Sequence, residues 1–75
     1  MNASHYTMII RWSEEDGVFL VSLPEWHDRV INPVTHGESY EQAAMNGQEV
    51  LELLIESALE LGESLPELEP VASSR

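Results

Sequence analysis

The residues of this chain that could do chemistry are three histidines and a large set of carboxylates. His27, Asp28 and His36 come nearest to a metal or acid/base group, since imidazole and carboxylate together can hold a cation or move a proton. Their spacing matches no ligand motif, and they fall on a loop and at a strand end, so scattered surface residues are the better account. No nucleophile paired with a base, glycine-rich phosphate loop or paired-carboxylate motif accompanies them. The expectation is a chain with no catalytic residue, no metal and no cofactor.

The carboxylates carry more information. Glu49, Glu52, Glu56, Glu60 and Glu63 recur every three or four residues, which places them in one stripe on a helix that has no lysine to offset them. Such a stripe is either a solvated helix face or a surface that receives arginine and lysine from a partner. Trp26 stands in the polar loop from Glu25 to Pro33, where a large aromatic is either a lid on the core or an anchor in an interface. The candidate partner-binding residues are therefore Glu25, Trp26 and Asp28 on the loop, with Glu49, Glu52 and Glu56 on the helix.

Composition points the same way. Fourteen Asp and Glu against three Lys and Arg give a net charge of −11. That balance opposes the phosphate neutralisation on which nucleic-acid affinity depends. A basic protein is the expected partner, with no direct nucleic-acid contact and no membrane. Seventy-five residues, 43% of them hydrophobic, make one thin core. No cysteine reinforces it, so self-association into a homo-oligomer, dimer or tetramer, is expected as support. The absence of cysteine also fits a reducing cytoplasm. Met1 to His5 lacks the cationic-then-apolar pattern of a signal segment, and no apolar run approaches the ~20 residues of a membrane span. The expected location is cytoplasmic.

The elements that must position these residues can be read in order. Tyr6 to Trp12 alternates, with Tyr6, Met8, Ile10 and Trp12 on one face, as a strand does. Ser13 to Gly17 is a polar turn ending in Asp-Gly, and Val18 to Leu23 follows as the second strand of a hairpin. Phe19, Val21 and Leu23 share its core face, while Val18 and Leu20 leave apolar surface on the other. Pro24 ends the strand, the loop runs to Pro33, and a short third strand covers about Val34 to His36. Ser39 with Gln42 forms a capping box, and Tyr40, Ala43, Ala44, Gly47, Val50, Leu51, Leu54, Ala58 and Leu61 then keep helical spacing. Gly62 and Pro66 stop the helix. Leu65, Leu68 and Val71 could lie along the domain as an edge segment. A single α+β domain over residues 1–70 is expected, a three-stranded antiparallel meander with one long helix on one face, and a disordered tail over 71–75.

In that order the segments resemble the HicB family of antitoxins. Tyr6 to Trp12 resembles the family's opening strand, Asp16-Gly17-Val18-Phe19-Leu20-Val21 its acidic turn and aromatic second strand, and Leu23-Pro24-Glu25 its Leu-Pro segment. Thr35-His36-Gly37-Glu38-Ser39-Tyr40-Glu41-Gln42-Ala43 is similar to the stretch that starts its helix, Asn46 to Leu54 to the helix itself, and Leu65-Pro66 to its proline tail. The resemblance spans Tyr6 to about Pro70. It implies a partly degraded ribonuclease-H-like fold without catalytic carboxylates. It also implies an antitoxin that covers the active site of a HicA-type toxin, a small basic ribonuclease that cleaves mRNA. The alternative is a solitary HicB-like structural or adaptor module that homo-oligomerises without a toxin. Where the family has a Pro-Gly-Cys segment, this chain has the longer Glu25 to Pro33, without cysteine. Many members also carry a C-terminal operator-binding domain, and operator binding is not expected of a chain whose last residue is Arg75.

Overall fold

The computed structural model describes residues 5–68. It is α+β, with strands β1 (Ile9–Ser13), β2 (Val18–Ser22) and β3 (Thr35–Gly37) followed by one helix, α1 (Tyr40–Glu60). The strands form an antiparallel sheet in the order β1-β2-β3. The expected boundary at residue 70 and the tail 71–75, Val71 included, lie outside the described residues.

The hairpin forms where Asp-Gly allows it. Ser13 Oγ accepts from the Asp16 amide at 3.2 Å and meets the Asp16 carboxylate at 2.9 Å, while the Gly17 amide donates to the Ser13 carbonyl at 2.8 Å. The turn pairs Trp12 with Phe19 and Ile10 with Val21, so Phe19, Val21 and Leu23 face the helix as the alternation requires. The core is Tyr6, Val21, Leu23, Trp26, Ala43, Leu51 and Ile55.

The strands differ from expectation at their ends. β1 starts at Ile9 because Tyr6 is drawn into the core and the Thr7 amide bonds a side chain, so neither continues the ladder. β2 stops at Ser22 because the Leu23 amide donates to the Asn32 side chain at 2.9 Å instead of to a strand. β3 lies one residue later than expected. The Val34 amide already bonds the Val21 carbonyl at 2.8 Å, although Thr35 is the residue paired with Val21.

α1 begins as the sequence requires, with Ser39 Oγ accepting from the Gln42 amide at 3.0 Å. The return arm of the box differs, since Gln42 Oε1 accepts from the Glu38 amide rather than from Ser39. At the far end the Gly62 amide bonds the Leu59 carbonyl and the Glu63 amide bonds that of Ala58, a Schellman closure with Gly62 at φ 72°. The face pressed on the sheet is Ala43, Gly47, Leu51, Ile55 and Ala58. This stripe is rotated from the expected one. Ile55 lies inside it, whereas Tyr40 and Leu61, at its two ends, are 64% and 70% exposed. Small residues bring helix and sheet together: a Cβ on Gly47 would sit 2.8 Å from Met8 Sδ and 2.9 Å from Val21 Cγ1. The other face of the sheet carries no layer of this chain among the described residues.

Candidate partner-binding surface

The loop after β2 folds inward. Pro24 opens a single 3₁₀ turn, Pro24–Trp26, in which the Trp26 amide reaches the Leu23 carbonyl at 3.1 Å and that of His27 reaches Pro24 at 3.3 Å. The Arg29 and Val30 amides then both converge on the Trp26 carbonyl, at 2.8 and 3.0 Å. The effect is to drive Trp26 into the core, where it is 1% exposed and meets the Tyr6 ring edge-on at 5.5 Å. The Arg29 guanidinium covers its outer side, 5.4 Å from the ring centroid. Of the two readings of Trp26, the structure shows the lid. Its indole N–H has no acceptor among the described residues.

Glu25 is also interior, at 7% exposure, and its carboxylate accepts from the Thr7 amide at 3.0 Å and from the Thr7 hydroxyl at 2.8 Å. A buried carboxylate is tolerable only with donors of this kind. It clamps the segment before β1 onto the loop after β2. Glu25 and Trp26 therefore do not present contact groups at the surface, contrary to expectation, because the 3₁₀ turn aims both inward. Asp28 alone of the three loop candidates is exposed.

The same corner fixes the chain beyond the helix. The Tyr6 hydroxyl donates to the Pro66 carbonyl at 2.7 Å, and Leu65 packs against the core. Burial raises the Tyr6 phenol above its ordinary value; the Glu25 carboxylate adds to the shift and the Arg29 guanidinium opposes it. Of the expected edge segment, Leu65 is half-buried and Leu68 is exposed.

Glu49, Glu52 and Glu56 are all exposed on the outer side of α1 and line one groove of about 270 Å³ together with Leu53. Among the described residues none of the three has an ion-pair partner, and the helix contains no Lys or Arg. Two apolar side chains stand among these acids, Leu53 at 65% exposure and Met45 at 61%. Sequence reasoning overlooked both. For Leu53 the signal was present in the run Leu53-Leu54-Ile55, since three consecutive residues span more of a helix than one face covers. The outer face is thus a mixed acidic and apolar surface rather than a uniform coat of charge.

His27, Asp28 and His36 are not gathered into a site. The His27 ring contacts the Pro24 carbonyl through Nδ1 at 3.0 Å, and His36 lies on β3. Among the described residues no group of three His, Asp or Glu side chains is placed to hold a metal ion. No described helix is long and apolar enough to cross a membrane.

These features define a small α+β domain with one helix-covered sheet face and one acidic helix surface. Comparison with protein-family models, curated proteins and solved structures finds no match to this chain.

Proposed function

We propose that this domain is a non-catalytic, HicB-like antitoxin of the cytoplasm that inhibits a small basic HicA-type ribonuclease by covering its active site. The outer face of α1 is the contact surface. The observation that supports this reading is the grouping of Glu49, Glu52 and Glu56, exposed and without ion-pair partners among the described residues, around the exposed side chain of Leu53. A ribonuclease must present cations to hold RNA, and a row of carboxylates can take the place of the phosphates there. Leu53 and Met45 supply apolar area that phosphates lack, which favours a protein partner over a diffuse ion atmosphere. Asp28 is the one loop candidate left to reach the partner, while Glu25 and Trp26 act through the shape of the domain. The order β-β-β-α agrees with the degraded ribonuclease-H-like fold that the resemblance implies.

The test is RNA cleavage by a HicA-type toxin encoded beside this gene, with and without equimolar domain. Cleavage should stop, and Glu52→Lys with Glu56→Lys should slow association and flatten its salt dependence. Undiminished cleavage would sink the reading. The second reading, a solitary module that homo-oligomerises without a toxin, is favoured by the sheet face that the described residues leave uncovered.

A further inference from the structure

We infer that two copies of this chain pair through the sheet face that the described residues leave uncovered, across a two-fold axis parallel to the strands with Leu20 of each copy at the centre. The inference stands on observations separate from those behind the antitoxin reading.

The strand registers place Arg11, Leu20 and His36 in one row across the sheet and Ile9 beside Ser22 in another. Alternation directs these residues, with Val18, away from α1. None of the outward positions on the three strands is a carboxylate, in a chain where acids outnumber Lys and Arg by fourteen to three. Two copies that each carry −11 repel wherever acidic surfaces meet. This face lets them approach without that cost, and it is apolar at its middle.

The face also carries a hollow, and an exposed apolar side chain stands in the loop that supplies one of its walls. Ile31 is 89% exposed, and two residues later Pro33 forms the wall of a hollow of about 240 Å³ lined by Ile9, Arg11, Leu20 and Ser22. A hollow with an exposed apolar side chain two residues from its wall suits a second copy of this chain, because a two-fold axis can bring each to the other. An acidic partner of another kind would find the single cation Arg11 on the strands and no use for the exposed Ile31.

The direction of the axis follows from charge. An axis across the strands would lay β1 on β1 and bring Arg11 towards its own copy. An axis along them lays β1 of one copy over β3 of the other. Leu20 then meets Leu20, Arg11 lies over His36, and the Ile31 loop lies over the partner's Ile9. Two sheets stacked in this way pack about 10 Å apart with strands near −30°, an ordinary sandwich. Both copies of α1 remain outside, so the Glu49 to Glu56 surface stays open in the pair.

Sedimentation equilibrium of the full chain from about 1 to about 100 μM tests this, with a dissociation constant in the micromolar range expected. Ile31→Asp and Ile9→Asp each remove an exposed apolar group outside the core cluster, and each should weaken pairing at least about tenfold while the circular-dichroism melt stays cooperative. Glu56→Lys, on the opposite side of the domain, should leave the mass unchanged. A monomer at the highest concentration overturns the inference. So does a dimer that survives Ile31→Asp, or one that Glu56→Lys disrupts.

Discussion

The loop from Pro24 to Pro33 and the outer face of α1 are built from similar residues, acids beside large apolar side chains, and they end in opposite environments. On the loop, Glu25 and Trp26 are interior; on the helix, Glu49, Glu52, Glu56 and Leu53 are at the surface. Backbone geometry makes the difference. A long helix fixed by its inner stripe has no freedom over where the other side points. An irregular segment goes where its caps and hydrogen bonds send it, and here the 3₁₀ turn, the Asn32 amide and the Thr7 donors send it inward. Polarity in a loop sequence is thus a poorer guide to exposure than polarity on a helix face.

The sharpest way to break this contrast is at Trp26. Trp26→Ala should cost about 3–5 kcal/mol, enough to unfold much of so small a domain. Urea denaturation followed by circular dichroism measures it. A surface anchor would instead leave the midpoint in place. Glu25→Ala should follow at about 1.5–3 kcal/mol, since it strands the Thr7 donors, and Asp28→Ala beside it should change the same midpoint by no more than about 0.5 kcal/mol.

The contrast also explains what could be read in advance. The antiparallel meander, the Ser39 cap and the stop at Gly62 were legible because each rests on local chemistry: alternation, a side-chain acceptor three residues from its donor, a residue that accepts positive φ. The helix stripe was legible in period but not in phase. Ile55 and the exposure of Leu53 depend on which side the sheet occupies, and the sheet is fixed by residues far away in sequence. The interior fate of Glu25 was not legible at all, because it depends on donors as far away as Thr7, eighteen positions earlier. The exposed row at Glu49, Glu52 and Glu56 was placed correctly, without the apolar groups between its members.

A smaller effect sharpens the interior side of the comparison through pH. Burial raises the Tyr6 phenol above 10.0, so the folded domain keeps its phenolic proton where the unfolded chain has begun to lose it. The associated stability is fully present below the ordinary value and is lost as pH rises through the folded one. Urea midpoints should therefore begin to fall as pH passes about 10 and keep falling above it. Tyr6→Phe should start lower, having lost the bond to the Pro66 carbonyl, and then decline less over the same interval. An equal decline in both proteins would assign the alkaline loss to other groups.

The smallest effect has the opposite sign. Glu56 lies four residues after Glu52 and four before Glu60, so two like-charged neighbours flank it in the C-terminal half of α1, where the helix dipole also disfavours anions. Glu56→Lys turns both repulsions into attractions and places a cation towards the negative end. The gain should be a few tenths of a kcal/mol in low salt and fade as salt is added, because an exposed pair is weak and screened. Removing one carboxylate, Glu25, should thus weaken the fold, while replacing another, Glu56, should strengthen it slightly and weaken contact with a basic partner. An acid whose removal improves stability is one that the fold does not need, and that sign, read from paired melts at low and high salt, separates a surface kept for contact from one kept for structure.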